Sequence, residues 1–465
     1  MLRRSSERHG ADNHADAEAS RDGSRTPARR TVIRRRRRRR GTASLVLGAA
    51  ALFLATGCGS SGSHGSLSVG VVYPFSGGSA FIGLLTNAST YPAVNLINAD
   101  GGVLGHKLTV ADIDTKNDPA DAVPAVEQYV ATTSPIGFVL GPGTTEAPTL
   151  VPILNHDKVV MQAGAGESFY NHNPYAYFWR LGPPDSENGV AMALYARHHG
   201  LTRVALVFGT DAGSQGDLPG VAAGAKALGL TVVKQVNLTS DQPSYESQAA
   251  SVAAAKPQAI FTETDPTTAG TFYGEFYRLS SNKHVAMIGT QATVLTQWLN
   301  PVRSAVGATL FDKDYVGLES SASAPNPATA ALNKALLADS AQVPKPAQYV
   351  GNPFEDLGYD QVIVTALAMV AAHSTKSSIY NSFISAVANA GPGKHVVYTY
   401  AQGVKLLAKG MKIQYVGAAG PIAYNRYHNS SGAQAATTEN ASGHLVVGDL
   451  LSASDIDAVN VQGVQ

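Results

Sequence analysis

The residues best suited to chemistry lie where short apolar segments give way to polar turns that contain glycine. The clearest such turn is Gly141-Pro-Gly-Thr-Thr145, which follows an apolar segment and precedes a helix predicted over Thr145–Asn155. A helix N-terminus offers free backbone N–H groups and a partial positive charge, which suit a carboxylate. Gly143, Thr144 and Thr145 are therefore candidate ligand-binding residues, although either hydroxyl could simply cap the helix.

Carboxylates occupy two comparable turns further along the chain. Asp211 precedes a helix predicted over Ser214–Leu228, and Glu263-Thr264-Asp265 follows a strand predicted over Ala259–Thr262. No pair of these carboxylates has a spacing that specifies a reaction. The chain also lacks G-x-S-x-G, Walker A and H-E-x-x-H motifs. The adjacent His198-His199 is more typical of an exposed helix end than of a metal site. From the missing motifs and these histidines we predict that the chain is not an enzyme and uses neither a cofactor nor a metal.

The N-terminal region has the pattern of an export signal. Seven consecutive arginines, Arg34 to Arg40, precede a 13-residue apolar segment, Ala43–Ala55. A membrane-spanning helix needs about 20 residues. The next segment, Leu54-Ala55-Thr56-Gly57-Cys58, holds the only cysteine of the chain. A single exported cysteine cannot form an internal disulfide, so it needs another role.

This segment resembles the bacterial lipoprotein signal, in which the cysteine is lipidated and becomes the first residue of the mature protein. Ala55 stands where leucine is usual. The resemblance implies a leader over 1–57, a lipid anchor at Cys58 and a location on the outer face of the cytoplasmic membrane. A Gly/Ser-rich tether over 58–66 would follow. The alternative is a plain signal peptide.

The charge of the chain is distributed unevenly. Residues 1–40 hold 14 of the 35 bases and five of the 34 acids, so residues 58–465 are left with 21 bases and 29 acids. A nucleic-acid-binding protein would keep its basic excess in the folded part. We therefore predict that nucleic acid is not a partner.

The rest of the chain alternates apolar segments with longer amphipathic ones, a pattern typical of parallel sheets covered by helices. Strands are predicted at Leu67–Val72, Lys107–Asp114, Gly137–Leu140, Val159–Met161, Val204–Phe208, Thr231–Val236, Ala259–Thr262 and Val285–Gly289. Further helices are predicted at Ala80–Ala99, from Asp118-Pro119, and at Asp185–His199, Ser244–Ala255 and Pro266–Leu279. Because the alternation occurs twice, we predict an α/β fold with two doubly wound parallel-sheet lobes.

Several segments, taken in order, resemble the type I periplasmic binding proteins of the leucine/isoleucine/valine-binding kind. They are Val69–Gly78, Val94–Asn98, Gly101–Leu108, Asp112–Pro119, Trp179-Arg180, Pro184-Asp185, Gly358-Tyr-Asp360 and Tyr415–Tyr424. The resemblance implies two lobes joined by three crossovers that close on a ligand. It places lobe 1 at 66–182 plus 319–416 and lobe 2 at 183–318 plus 417–465.

The resemblance also implies ligand contacts in lobe 1. Thr144 and Thr145 correspond to the hydroxyl pair that receives the ligand carboxylate, in the loop that contains Gly143. Ala163-Gly164-Ala165 corresponds to a small-residue segment whose backbone meets the ligand head group, although a plain tight turn fits the same residues. Phe75 and Phe81 lie where the family often presents an aromatic residue, and either could be core or cleft wall.

Lobe 2 departs from the family pattern. Gln215, four residues after Asp211, and Thr264, beside Asp265, stand where tyrosines are usual. Gln291 stands where a glutamate neutralises the ammonium group of an amino acid. Because an amide cannot offset a buried ammonium group, Asp211, Glu263 or Asp265 would have to supply the charge, or the ligand is not an ordinary aliphatic amino acid.

The resemblance implies a receptor that captures a small molecule, such as an amino acid, an amide or a related organic acid. It would deliver this solute to an ABC permease and its ATPase. A receptor that signals to a regulator is the alternative, because the same fold serves both roles. A hydrolase fits the sequence less well.

Overall fold

The structure is a computed structural model that describes residues 64–76, 80–279, 284–320, 326–430, 432–439 and 445–463. The predicted leader over 1–57, the predicted lipidation site at Cys58 and most of the predicted tether over 58–66 lie outside the described residues. No described helix combines the length and the apolar character needed to cross a membrane.

Strands and helices alternate along the described chain. The strands are β1 His64–Tyr73, β2 His106–Asp114, β3 Ile136–Leu140, β4 Met161–Ala163, β5 Phe178–Arg180, β6 Arg203–Gly209, β7 Thr231–Leu238, β8 Ala259–Glu263, β9 Ala286–Gly289, β10 Tyr315–Ser320, β11 His395–Val397, β12 Ile413–Gly417, β13 Gly420–Pro421, β14 Gln434–Glu439 and β15 Leu445–Leu451.

The helices connect these strands in sequence. They are α1 Ala80–Ala99, α2 Pro119–Thr132, α3 Ala147–His156, α4 Asp185–His198, α5 Ala212–Gly216, α6 Leu218–Leu228, α7 Glu246–Ala254, α8 Pro266–Arg278, α9 Thr296–Val306, α10 Ala308–Asp314, α11 Pro327–Ala338, α12 Pro353–Ala371, α13 Ser377–Tyr380, α14 Ile384–Ala388, α15 Tyr400–Leu407 and α16 Ala453–Gly463.

The first sheet has five parallel strands in the order β2-β1-β3-β4-β5. Both of its faces are covered, because one core cluster joins it to α1 and α12 and another joins it to α2 and α3. This double coverage explains why strand segments such as Val69–Val72 are apolar without a polar alternation.

The second sheet has seven strands in the order β15-β14-β10-β9-β8-β6-β7. Five of its strands, β10, β9, β8, β6 and β7, run parallel to one another. The hairpin of β14 and β15 adds two antiparallel strands at the edge next to β10. Apolar clusters cover both faces, with α4, α6 and α16 on one side and α8 and α9 on the other. The predicted α/β fold with helix-covered parallel sheets is therefore confirmed.

A third, small sheet in the order β11-β12-β13 packs with the helices that flank the first sheet. Ile413, Tyr415, Ile422 and Tyr424 all belong to the core cluster of that first sheet. The chain thus runs from the first sheet to the second, back again, and finally to the hairpin of the second sheet.

Three predicted elements differ from the structure near the candidate site. The helix predicted over Ser214–Leu228 is two helices, α5 and α6, because Pro219 begins a new helical turn just after Asp217. The strand predicted over Val159–Met161 lies two residues later, as β4, so that Ala163 ends the strand instead of following it. The helix predicted from Thr145 begins at Ala147.

Candidate functional site

The loop after β3 is held open by backbone geometry and by an aromatic ring. Gly141 has a φ of 99°, which favours glycine, and its N–H donates to the Gln162 carbonyl over 2.8 Å. The Tyr73 ring lies against both Gly141 and Gly143. The loop therefore places Gly143, Thr144 and Thr145, all half-buried, at the carboxyl end of the first sheet.

The two threonines of this loop do not cap the following helix. Thr144 Oγ1 accepts a hydrogen bond from the Gly166 N–H over 3.2 Å, and the N-cap residue of α3 is Glu146, which makes no side-chain cap. The capping alternative is therefore wrong for Thr144, because its hydroxyl is used to join the loops after β3 and β4. Glu146 is 1% exposed and accepts from the Thr115 hydroxyl over 2.5 Å.

The loop after β4 is formed by small residues. Ala163 and Ala165 are buried, Gly164 is exposed, and the Gly164 N–H donates to the Pro142 carbonyl over 3.2 Å. A Cβ atom at Gly164 would overlap the Tyr73 hydroxyl. Burial, followed by the charge of Glu146, raises the pKa of Tyr73 far above its ordinary value, so the phenol is neutral and can only donate or accept a hydrogen bond.

Phe75 and Phe81 pack against the core cluster of the first sheet. Both are half-buried, and the Phe75 ring lies over Gly83 in α1. The Phe75 N–H donates to Asp114 Oδ1 over 2.8 Å, which fixes the end of β1 to the end of β2. The structure thus gives both rings a packing role and leaves part of each surface exposed.

On the second sheet, Asp211 and Gln215 are engaged by their own helix and strand. Asp211 caps α5, since Oδ1 accepts from the Ser214 N–H over 3.0 Å and Oδ2 from the Ser214 hydroxyl over 2.7 Å. The Gln215 amide donates to the Gly209 carbonyl. Asp211 is exposed and Gln215 half-buried, so both remain at the surface between the sheets while stabilising the turn after β6.

Thr264 and Asp265 follow β8 in the same way. Asp265 Oδ1 caps α8 by accepting from the Thr268 N–H over 3.0 Å, while its other oxygen is buried without a hydrogen-bond partner. The Thr264 carbonyl accepts from the Trp298 indole over 3.1 Å, and the Thr264 hydroxyl is also buried without a partner. Each residue therefore combines a structural contact with one unused polar atom.

Gln291 follows a residue that is hydrogen-bonded to a carboxylate. Its side-chain oxygen accepts from the Ser320 hydroxyl over 3.3 Å. The residue before it, Thr290, donates its hydroxyl hydrogen bond to Glu263 Oε2. Glu263, at the end of β8, therefore stands next to the position at which the related pattern has its glutamate.

Five carboxylates, Glu263 among them, interact electrostatically with one another, and we call them the acidic cluster: Glu167, Asp185, Asp211, Asp217 and Glu263. Its members come from the loop after β4, the start of α4, the N-cap of α5, the junction of α5 and α6, and the end of β8. These carboxyl groups are electrostatically coupled. The pKa values of Asp185, Asp217 and Glu263 are raised by the charges of other members, and Glu167 and Asp211 are among the groups whose charge does so.

Asp185 joins the two sides of the cluster physically. A Cβ atom on Gly166, in the loop after β4, would overlap the Asp185 carboxylate, and so would one on Gly216 in α5. The Asp185 N–H also donates to the Gly166 carbonyl over 3.0 Å. The carboxylate therefore sits between a loop of the first sheet and a helix of the second, in a space that two glycines leave free.

Burial is the main cause of the pKa shifts in this group. It raises the pKa of Glu167 to about 7, against the lowering effect of Arg180. The pKa values of Asp185 and Asp217 lie well above the ordinary range because of burial and then of the Glu263 charge. Burial and the neighbouring carboxylates therefore both favour the protonated forms of these groups.

Sequence reasoning named Asp211, Thr264, Asp265 and Gln291 but missed the roles of Glu167, Asp185 and Asp217. Contacts between loops bring the carboxyl ends of β3, β4 and β6 together, and the electrostatic coupling of Asp185 and Asp217 to Glu263 adds the end of β8. A usable signal was Pro219, since a helix restarting there leaves Asp217 at a break instead of on a helix face. The described residues contain no group of three or more His, Cys, Asp or Glu side chains arranged to hold a metal ion.

Comparisons with known proteins identify the relatives of this chain. The family model described as periplasmic binding protein matches residues 66–425. Over 251 residues the chain is 23% identical to the Leu/Ile/Val-binding protein BraC3 of Rhizobium johnstonii, a stretch that covers 53% of this chain and 67% of that protein.

Solved structures show the same fold. A leucine-binding protein, LivK, from Thermotoga maritima is 17% identical, with a TM-score of 0.66 over 84% of this chain and 99% of that one. A solute-binding protein of an ABC transporter from R. palustris, in complex with benzoate, is 16% identical, with a TM-score of 0.64 over 83% of this chain and 96% of that one.

Proposed function

The chain belongs to the periplasmic binding protein family, and from this premise we propose that it is an extracytoplasmic solute receptor. It captures a small molecule, an amino acid, an amide or a related organic acid, and delivers it to an ABC permease with its ATPase. The relatives support this range, since one is named for leucine, isoleucine and valine and another holds benzoate.

The observation that carries the proposal is the convergence of two sheets at one point. Gly166 follows a strand of the first sheet and Gly216 follows a strand of the second, and the Asp185 carboxylate lies between them. Ligands of parallel α/β sheets bind beyond the carboxyl ends of the strands. Two such ends that face each other form a cleft that can enclose a solute from both sides.

The division into lobes belongs to the same proposal. Lobe 1 would comprise 66–182 plus 319–416, and lobe 2 would comprise 183–318 plus 417–465. The core clusters support two lobes, because helices pack on each sheet separately. Ile422 and Tyr424 pack with the first sheet, which favours a last crossover after Tyr424.

Lipid anchoring at Cys58 and a location on the outer face of the cytoplasmic membrane complete the proposal. A Cys58→Ser variant is expected to leave the membrane fraction, because it lacks the thiol that carries the lipid. A Ser61→Ala variant serves as the matched control and should stay in the membrane fraction. Equal retention of both variants would contradict the anchor without affecting the receptor proposal.

A thermal-shift screen tests the receptor function itself. The full chain, purified in detergent, is melted with amino acids, amides, aromatic acids and short peptides. A ligand that binds only the folded state must raise the melting temperature, by an amount that grows with its concentration above Kd. No shift from any class, in a chain with a cooperative melting transition, would contradict the proposal, and turnover of a ligand would indicate a hydrolase.

A further inference from the structure

The acidic cluster brings five carboxyl groups together, and Arg180 is the described base that its pKa shifts involve. Arg180 is the base whose charge lowers the pKa of Glu167 and Asp185. Its guanidinium donates to oxygens without net charge: Ala165 O, Glu167 O, Asn171 Oδ1 and Asn429 Oδ1. In the described part of the chain, no ion pair joins a carboxylate of the cluster to a base.

Several oxygens of the cluster also lack hydrogen-bond donors. Asp217 is 1% exposed, and its oxygens accept no well-formed hydrogen bond, with the Asn188 side chain and Glu263 as their weaker polar neighbours. Asp185 Oδ2 and both Glu167 side-chain oxygens also accept no well-formed hydrogen bond from a described residue. Buried acceptors without donors are rare in folded proteins because each costs free energy. A ligand that brings N–H donors and positive charge would satisfy them.

Glu263 has hydrogen-bonding neighbours in Thr290 and Asp217. The Thr290 hydroxyl donates to one of its oxygens, and Asp217 lies within hydrogen-bonding reach as a proton donor. The backbone of Gly213 passes close to the other oxygen, where a Cβ atom would lie 3.7 Å from it. Glu263 is half-buried.

We infer that the acidic cluster binds a positively charged group of the solute, so that the solute is a net cation with an ammonium or guanidinium group that no carboxylate of its own balances. This inference rests on the proposed receptor function. Glu263 and Asp185 would contact the cation from the two sides of the cleft, and Asp217 would support Glu263 from behind. The cluster thereby offers several carboxyl groups, whereas the family pattern has one glutamate at the position of Gln291.

The same geometry disfavours an anionic solute. A benzoate-like ligand would bring its carboxylate toward a region that holds five acids and one arginine already engaged by neutral oxygens. Like charges in a partly desolvated site repel each other strongly. A cation gains from the same field, because it enters with attraction and supplies the missing donors.

Matched solutes test this inference on the full chain in detergent. L-arginine and L-citrulline have the same shape but differ in charge, agmatine and putrescine are cationic, and L-leucine and benzoate carry no cationic side group. Each is measured by thermal shift and calorimetry against the wild type, Glu263→Gln and Asp185→Asn. Glu127→Gln, on the exposed face of α2, is the control variant, and circular dichroism checks that each variant is folded.

We expect at least one of arginine, agmatine and putrescine to bind, and to bind more tightly than citrulline, leucine or benzoate. Glu263→Gln should weaken that binding about tenfold or more, and Asp185→Asn should also weaken it, whereas Glu127→Gln should not. Binding of citrulline, leucine or benzoate alone would overturn the inference and leave the receptor function standing. Cation binding that both cluster variants retain would overturn it as well, as would the absence of any cation binding.

Discussion

Two buried carboxylates, one beside each sheet, have opposite surroundings. Asp360, in α12 beside the first sheet, is fully buried and accepts from the Tyr415 hydroxyl over 2.7 Å and from the Ala418 and Ala419 N–H groups over 2.8 and 2.9 Å. Asp217, beside the second sheet, is 1% exposed without a well-formed hydrogen bond.

The comparison separates a structural acid from one available to a ligand. The donors around Asp360 belong to β12 and to the turn between β12 and β13, so its carboxylate holds that hairpin against α12. Burial still raises its pKa, to about 7, against the lowering effect of these hydrogen bonds. Asp217 lacks such a set of well-formed hydrogen bonds, and burial, followed by the Glu263 charge, raises its pKa well above the ordinary value. A satisfied buried group stabilises a fold, whereas an unsatisfied one costs stability until something binds.

Removing the satisfied carboxylate should have the largest effect. Asp360→Ala leaves three donors without an acceptor and opens a cavity, so we expect a loss of roughly 3–5 kcal/mol of unfolding free energy. Chemical denaturation measures it. Glu127→Ala, on the surface of α2, should change stability by less than about 0.5 kcal/mol. A loss at Asp360 no larger than at Glu127 would show that its hydrogen bonds do not hold the hairpin.

The glycine that makes room for Asp185 gives the next effect. Gly166→Ala places a methyl group where the Asp185 carboxylate lies, so we expect a loss of about 2 kcal/mol, as for overpacked cores. Adding Asp185→Ala should recover part of that loss, since it removes the overlapping atoms. At Gly65 a Cβ atom meets nothing within 4 Å, so Gly65→Ala is the control. Additive effects of Gly166→Ala and Asp185→Ala would contradict the contact.

Neutralising the unsatisfied carboxylate should have the opposite sign. Asp217→Asn keeps the shape but removes the cost of an acid whose pKa is raised, and each pKa unit corresponds to about 1.4 kcal/mol. We expect the unliganded protein to gain about 1 kcal/mol or more at pH 7.5, measured by denaturation. Asp118→Asn, which exchanges one good cap of α2 for another, should be neutral. A destabilised Asp217→Asn would mean that the carboxylate is needed for folding.

The smallest effect is a change in pH dependence. A carboxyl group whose pKa is raised on folding binds more protons in the folded state, so stability falls as pH rises through the window between its unfolded and folded values. For Glu167 that window runs from 4.5 to about 7, and for Asp217 it begins at 3.8. The gain from Asp217→Asn should therefore be smaller at pH 5 than at pH 8. A gain that is equal at both pH values would contradict the raised pKa.

The fold was predictable because its signals are local. The helix predicted over Ala80–Ala99 has those bounds in the structure, and β1 and β3 extend their predicted segments by a few residues. Apolar runs and capping residues decide such elements within a few turns of chain. The helix predicted from Asp118-Pro119 likewise begins there, and Asp118 caps it by accepting from the Ala120 N–H over 2.8 Å.

The site was less predictable because its contacts join distant parts of the chain. Asp211 and Asp265 were recognisable as polar residues after strands, but only the structure shows that they cap α5 and α8. Asp185, Asp217 and Glu263 come from three separate elements, and their proximity depends on how α4, α6 and β8 pack. The ligand roles proposed for the site residues stay predictions that solute binding must test.

Proton exchange on binding tests most directly whether the unsatisfied carboxylates form a cation site. The cationic solute with the largest thermal shift is titrated calorimetrically at pH 6.5 in buffers of different ionisation enthalpy. A cation lowers the pKa of nearby carboxyl groups, so we predict that binding releases protons, and that Glu263→Gln reduces the release. Binding without proton release, or with proton uptake, would contradict a cation held by the acidic cluster.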